Sequence, residues 1–463
     1  MKDAPLDLPP IPAAAIARLK ALVGPAGYFE TEADTLAYRK SWRYGYVGKT
    51  PLVLRPANTS EVVEIVKICA AERIPIVPQG GNTGLTFAGN PGHSMGEIVV
   101  TTERMNKVRA VDLGNDTMTV EAGVVLQTLQ QEAAKHNRLF PLSLGAQGSC
   151  RIGGNISTNA GGVQVLRYGN TRNLVLGLEV VLPDGRVWNG LRGLRKDNTG
   201  YDLKHLFIGG EGTLGIITAA VLRVFPKPTA SETAWIAVDS PDAAVKLLSR
   251  MKERMGEQLS AFELIRRSIV EFTVQSIPGN DDPMPEKHPW YVLMDVTSQG
   301  AAGSLAEPLA EALGAAMEDG LVRDAVIATS QNQANKLWKM REDMADAQRA
   351  IGGSVSHDVS VPVSRIPQFI TETDAAMEAR FPGVRHCCFG HVGDGNMHYN
   401  PIRPEGWEQA KFLEYYEEIN RIVHDRVIAH GGSISAEHGI GRIRLEENYH
   451  YKSDVELDLM RAV

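Results

Sequence analysis

Apolar side chains recur at helical spacing in residues 61–73, EVVEIVKICAAER, and the following IPIVPQGGNTGL predicts a short strand running into a glycine-rich turn. Between about 98 and 125 the β-branched runs EIVVTT, VRAVD and TMTVEAGVV are separated by polar or glycine punctuation, which predicts strands. LQTLQQEAAKHNR reads as a helix, and LVLGLEVVLPDGRVWNG as a hairpin turning at its Asp-Gly. Residues 1–228 therefore read as an α+β unit rich in glycine loops. Two prolines in the polar stretch FPKPTAS, 225–231, mark a linker. Beyond it the helical patterns SPDAAVKLLSRMKERMG and AAGSLAEPLAEALGAAMEDG alternate with strand-like WYVLMDVTS, which predicts a second α+β unit over 229–425 and a closing segment over 426–463.

Length supports this division, because 463 residues exceed what one compact core holds. The 43% apolar and 22% charged fractions are those of an ordinary globular chain, while the 45 glycines stand out. A net charge of −7 gives no general attraction to nucleic acid or to an anionic membrane surface. The start, MKDAPLDLPPIPAAAIARLKALVG, has prolines where a signal peptide needs a continuous apolar segment, and no stretch is long enough to span a bilayer. A cytoplasmic location is the expectation. Cys69, Cys150, Cys387 and Cys388 are too few and too irregular for a disulfide framework, and are expected to be reduced and mostly buried.

GGEGTLG carries Gly210-x-Gly212-x-x-Gly215, a dinucleotide-binding spacing when it opens a helix. Here the β-branched IITAAVLRVF follows, a strand pattern, so a nicotinamide site is rejected. PQGGNTGL (78–85) and GGNISTNAGG (153–162) are denser: unhindered backbone N–H groups beside Asn, Ser and Thr form anion-binding concavities. Each alone reads most simply as a tight turn, but two from distant sequence suit one extended diphosphate.

Eight of the twelve histidines lie at or after His357. In CCFGHVGDGNMHYN, a tight turn over Gly393–Asn396 would pair residues 392 and 397 and set His391 directly opposite His398, and another backbone path through the loop would serve a metal equally well. Cross-strand partners on one face have Cβ atoms about 4.5–5.5 Å apart, which suits two imidazoles sharing a divalent ion. GGSISAEHGIG adds Glu437 and His438, whose side chains point to opposite faces of an extended segment, so that one binds metal while the other faces something else. The competing reading of either motif alone is a set of hydrogen-bonded histidines at a domain interface.

Taken in order, PQGGNTGL, GSCRIGGNISTNAGG, YGNTRNLVLGLEVVLPDG, KDNTGYDLKHLFIGGEGTLGIIT, GHVGDGNMHYN and SAEHGIG resemble the FAD-linked D-2-hydroxyacid dehydrogenases, the D-lactate and D-2-hydroxyglutarate dehydrogenases of the vanillyl-alcohol oxidase fold superfamily. The resemblance spans roughly residue 40 to the C-terminus. It implies an α+β fold: a two-subdomain FAD-binding domain (1–228), an α+β substrate or cap domain with the metal-ligand histidines (229–425), and a C-terminal segment (426–463) packing back on the flavin domain and completing the active site. The implied FAD-binding residues are Pro78, Gly80, Gly81, Asn82, Thr83, Gly84 and Leu85, then Gly145, Gly148, Ser149, Ile152, Gly153, Gly154, Asn155, Thr158, Asn159, Gly161 and Gly162, then Glu211, Gly215, Ile216 and Ile217. No His or Cys occupies 78–85, where some members of the superfamily tether flavin, so FAD is expected to be non-covalent. The resemblance further implies His391, His398 and Glu437 as ligands of a divalent metal, usually zinc, His438 as catalytic base, and Arg341 and Asn400 as substrate-binding residues. From the residues alone, Arg341 among the acids of NKLWKMREDMADAQRA reads as part of a solvated helix face.

The implied reaction is oxidation of a D-2-hydroxyacid to the 2-keto acid, with hydride passing to flavin. The implied electron acceptor is an electron-transfer flavoprotein or a quinone, with neither nucleic acid nor a membrane span involved; a homodimer is compatible with the pattern. A flavin oxidase or non-redox flavin enzyme of the same fold, or a non-catalytic subunit of an oxidoreductase complex, are the rival readings. Two departures bear on the substrate. Ala345 and Ser356 stand where D-2-hydroxyglutarate enzymes carry a threonine and a lysine for the distal carboxylate, with His357 a partial replacement. The resemblance also implies a further helical turn and an NPGK segment after ELDLMRA, where this sequence has Val463.

Overall fold

The computed structural model describes residues 8–42 and 45–463; the first seven positions of the proline-containing start discussed above lie outside the described residues. The chain divides into two compact units, one of residues 1–161, 169–226 and 438–463, the other of residues 162–168 and 227–437. The second unit thus takes in 162–168 and 426–437, which the sequence pattern had grouped with the flavin domain and the closing segment. Local bonds explain both. Arg167 Nη1 donates to the Thr297 carbonyl at 2.9 Å, and Ser433 exchanges backbone hydrogen bonds with Ser360.

In the first unit, β1 (Tyr28–Phe29), β2 (Val53–Leu54), β3 (Ile76–Gln79) and β4 (Ile98–Thr101) form a sheet ordered β1-β2-β4-β3, parallel except at β1. Alternation divides its side chains: Leu54, Ile98 and Val100 pack with Val62, Ile65 and Val66 of the helix Thr59–Glu72, while Val53, Val77 and Val99 pack with Phe29 and Tyr38. That helix begins where Asn58 accepts the Glu61 N–H at 3.0 Å, and ends at Arg73, whose φ of 54° turns the chain back toward β3. The next strands are β5 (Val108–Asp112), β6 (Thr117–Glu121), β7 (Arg138–Leu139), β8 (Val175–Val181), β9 (Val187–Gly190), β10 (Ile216–Arg223) and β11 (Phe225–Pro226). β7 pairs with β11, and the other five form an antiparallel sheet ordered β5-β6-β10-β8-β9. β10 is bonded on both edges and buried along nearly its whole length, which is why its sequence is apolar throughout. The expected Asp-Gly hairpin is β8–β9, and the stretch after Gly215 is β10, a strand as expected.

The second unit holds β12 (Ala230–Val238), β13 (Leu259–Arg266), β14 (Trp290–Ser298), β15 (Asp324–Ile327), β16 (His357–Ser360), β17 (Cys388–His391) and β18 (Asn396–Tyr399). They make one antiparallel sheet ordered β15-β12-β14-β13-β17-β18-β16. Its core gathers Trp235, Ile265, Tyr291 and Phe389 with Leu337, Met340 and Met344 from the helix Gln331–Ile351. Pairing β13 beside β17 carries the middle of one strand to the histidine hairpin.

One side chain of this sheet has a pH signature. Asp295 on β14 accepts hydrogen bonds from Thr233 Oγ1 at 2.6 Å and Trp338 Nε1 at 2.9 Å, yet burial pushes its carboxyl up to about 6. Relative to an unfolded value of about 3.9, the contribution to stability is complete at low pH and is lost as pH rises through about 6. Asp295→Asn is therefore expected to stabilise the fold at pH 7, by less than about 2 kcal/mol because the side chain keeps some water contact, and so to raise the melting temperature there while changing it little at pH 4. Thermal unfolding at the two pH values checks this.

Candidate active site

Both glycine clusters belong to the first unit, and they lie against each other. A Cβ on Gly81 would stand 2.2 Å from the Ser149 carbonyl oxygen, and one on Gly80 would meet the backbone of Gly154 at 3.3 Å. At Gly81 only glycine permits this approach, and the two clusters wall a cleft that includes Gly80–Gly84, Gly153–Asn155, Glu211 and Gly215–Ile217. Pro78 and Thr158 complete the implied residues found there. Leu85, Gly145, Gly148, Ser149, Ile152, Asn159 and Gly161 do not line it, and Gly162 lies in the second unit. The second cluster is not the open loop its glycines suggest: Ile152–Ser157 is a short helix, with the Asn155 N–H bonded to the Arg151 carbonyl.

Several polar atoms of this wall are buried with no hydrogen-bond partner within the protein: Gln79 Oε1, Thr102 Oγ1, Arg151 Nε and Asn155 Oδ1. Buried polar atoms are rarely left so, and a ligand with many donors and acceptors answers them. The residues therefore fit an extended, phosphate-bearing cofactor. Gln79, Thr102, Arg151 and Gly212 of this wall carry no sequence signal beyond proximity to the glycine runs.

Three residues implied as flavin contacts also shape the loops. Asn82, at φ 54°, donates from Nδ2 to the carbonyls of Ala37 and Lys40, and Asn159 Oδ1 accepts the Arg172 N–H. Glu211, at φ 49°, accepts the N–H of Ile440 at 3.3 Å and of Gly441 at 3.1 Å. Burial raises the Glu211 carboxyl while these N–H groups lower it. His438 also lines the cleft, and its carbonyl accepts the Thr86 hydroxyl at 3.0 Å. The segment carrying His438 is thus tied to the glycine-loop framework through its backbone.

The histidine hairpin lies in the second unit, as β17–β18, with a register that corrects the expected one. His391 faces Asn396 and His398 faces Phe389, because the turn spans Val392–Gly395: the His391 carbonyl accepts the N–H of Asp394 and of Gly395, and Gly395 adopts φ 91°. The two imidazoles are diagonal neighbours on one face, ring centroids 5.6 Å apart. Glu437 joins them: ligand atoms of His391, His398 and Glu437 all fall within 4.8 Å of one another. Two imidazole nitrogens and one carboxylate oxygen are the donor set of an open tetrahedral site, and the residues fit a divalent ion of the zinc class. Asp358, buried on β16, accepts the Glu437 N–H at 2.9 Å and the Asn396 amide at 2.8 Å, which fixes the third donor. Burial pushes the Glu437 carboxyl up, with His391 opposing and Asp358, Asp394 and Glu263 reinforcing the rise.

Arg341 and Asn400 are in the same unit and are not solvated. Arg341 is buried, donates through Nε and Nη2 to Glu263 Oε2 at 3.0 and 2.8 Å, and stacks over the Phe389 ring at 4.6 Å. Its Nε edge is committed to Glu263, and the end-on edge remains for another anion. Asn400 Oδ1 accepts the His357 N–H at 2.8 Å and its Nδ2 donates to Gln348 Oε1 at 3.0 Å, so it ties β16 to the helix Gln331–Ile351. Ala345 is exposed one turn beyond Arg341, and Ser356 is half-buried before β16. Glu263, completely buried on β13, is the site residue the sequence reading missed. Its only sequence signal is a charge inside the apolar run LSAFELIR.

Comparison with known proteins places this geometry. Residues 227–463 match the family of FAD linked oxidases, C-terminal domain, and residues 50–190 match the FAD binding domain family. D-2-hydroxyglutarate dehydrogenase, mitochondrial, of Arabidopsis thaliana is 36% identical over 449 residues, covering 97% of this chain and 78% of that protein. The D-2-hydroxyglutarate dehydrogenase of Xanthomonas citri pv. viticola is 36% identical over 442 residues, covering 95% and 91%. The chain belongs to the FAD-linked D-2-hydroxyacid dehydrogenases. Among solved structures, p-cresol methylhydroxylase with substrate bound superposes with a TM-score of 0.74 at 17% identity, over 97% of this chain and 93% of that one, which shows the shared vanillyl-alcohol oxidase fold. This dehydrogenase is accordingly an FAD-dependent oxidoreductase. No helix among its described residues is long and apolar enough to cross a membrane, and the cytoplasmic expectation stands beside a plant relative named mitochondrial.

Proposed function

We propose that this dehydrogenase oxidises a D-2-hydroxyacid to the 2-keto acid using non-covalent FAD and a divalent ion, zinc by preference, held by His391, His398 and Glu437. The convergence of those three side chains on one face carries the metal reading. The absence of His and Cys from residues 78–85 supports non-covalent FAD. Cys150 lines the cleft, but burial raises its thiol and disfavours the thiolate that attachment would need.

When bound, FAD supplies the hydride acceptor and the ion polarises the substrate hydroxyl. His438 in its neutral form takes the hydroxyl proton. Arg341 offers its end-on edge to a substrate carboxylate, already oriented by Glu263. Anaerobic bleaching of the flavin by D- but not L-2-hydroxyacids tests the reaction, and bleaching by neither would overturn it. We assign re-oxidation to an electron-transfer flavoprotein or a quinone; rapid re-oxidation by air with stoichiometric peroxide would make the chain an oxidase.

For the substrate, we propose that D-lactate or a longer apolar D-2-hydroxyacid competes effectively with D-2-hydroxyglutarate, because Ala345 and Ser356 offer no charge to a distal carboxylate. A charge-assisted hydrogen bond contributes about 1.5–3 kcal/mol. Ala345→Thr combined with Ser356→Lys is expected to raise kcat/KM for D-2-hydroxyglutarate relative to D-lactate by about 100-fold. An unchanged ratio would locate the distal contacts elsewhere.

A further inference from the structure

We infer that Glu263 is the positioning residue of this site, orienting His391 toward a metal and Arg341 toward substrate through its two separate carboxylate oxygens. The inference rests on the metal reading above and goes beyond it by naming what aims the first ligand. A carboxylate with no exposed surface is costly unless both oxygens are satisfied by charged or hydrogen-bonding partners. Glu263 divides them: Oε1 lies 2.5 Å from His391 Nδ1, and Oε2 accepts from Arg341 at 2.8 Å.

The sheet makes the first contact directly. β13 and β17 are antiparallel with Glu263 and His391 as register partners, so the carboxylate and the imidazole are cross-strand neighbours. When Nδ1–H is donated to the carboxylate, Nε2 is left as the lone-pair nitrogen. That nitrogen is the one 3.8 Å from Glu437 Oε1. A carboxylate behind a ligating imidazole fixes its tautomer and ring orientation and raises its basicity as a ligand. The second contact holds the Nε edge of Arg341 and leaves its end-on edge for another anion, so one buried side chain orients two functional groups. A structural ion pair would need only the arginine.

The test uses full-length FAD-bound protein. Glu263→Gln is expected to keep FAD at wild-type stoichiometry but to bind zinc about 10- to 100-fold more weakly in competition with a chromophoric chelator, and to shift the visible d–d bands of the cobalt-substituted protein. Arg341→Met leaves the His391 contact in place and is expected to hold zinc within about threefold of wild type, less than the second-sphere effect. Zinc affinity and cobalt bands unchanged in a folded Glu263→Gln protein would overturn the inference. So would equal zinc loss in Arg341→Met, which would trace the effect to general damage in the core. If Glu263→Gln proves insoluble, Glu263→Asp retains the charge but draws it back by one methylene; it is expected to weaken zinc in the same direction, and wild-type affinity in that protein counts against the inference. Failure of the wild-type protein to bind zinc at all would instead bring down the metal reading on which this one stands.

Discussion

Replacing His438 with Ala (H438A) is expected to leave FAD bound and to slow anaerobic flavin bleaching by a D-2-hydroxyacid at least about 100-fold, the lower bound for loss of a positioned general base. Backbone contacts hold this segment: the Thr86 hydroxyl on the His438 carbonyl, and the Ile440 and Gly441 N–H groups on Glu211. These three do not use the imidazole and persist when it is removed. Because His438 lines the same cleft as the glycine loops, the lost proton acceptor is one beside the flavin wall and not a remote support. Stopped-flow reduction at saturating substrate isolates the step from binding. Reduction at the wild-type rate would remove His438 from the role, and loss of FAD would show that the ring supports the cleft.

The histidine cluster survived an error in the expected register, and the reason is physical. Side chains alternate along a strand, so a slip of two residues preserves the face. The sequence placed His398 opposite His391; the structure puts Asn396 there and His398 one diagonal step on, still on the same side. The turn decided the register: Asp394 Oδ1 accepts the Asn396 N–H at 3.1 Å and Gly395 takes the positive φ, a local choice that the spacing of two histidines does not encode. Helices such as Thr59–Glu72 and Pro241–Met255 were legible because one apolar stripe and one cap define each. The glycine runs were legible as ligand loops but not as to which residues line the wall, since Arg151 and Thr102 enter only through tertiary packing.

Glu263 and Arg341 mark where sequence reasoning ran out. A lone Glu in LSAFELIR has no periodic partner, and its contacts lie 128 and 78 residues away along the chain. An arginine among acids on a helix reads as solvated, and only the packing of that helix over β17 shows it buried, stacked on Phe389 and paired. Local pattern specifies elements; the pairing of β13 with β17 specifies the site.

Removal of the metal is expected to stop the reaction as completely as removal of the base. His398→Ala protein should carry FAD but less than stoichiometric zinc, and its flavin should bleach about 1000-fold more slowly, since polarisation by an ion supplies several kcal/mol and each 1.36 kcal/mol is a factor of ten. Chelator-treated wild type should lose the same activity and regain it with added zinc, whereas the variant should not. The fold gives little reason for a wider effect. β18 is held to β17 and β16 by backbone ladders, and the His398 ring is half-buried beside the Phe389 and His391 rings. What the variant leaves behind is His391 beside Glu437, whose carboxyl burial and the nearby Asp358 already push up. Without a cation that charge is relieved by protons, so the stripped site should take up zinc more weakly as pH falls, because the ion displaces those protons. Bleaching that proceeds unaltered after exhaustive chelation, with metal content measured at zero, would assign the three side chains a structural role and leave His438 and Arg341 to act alone.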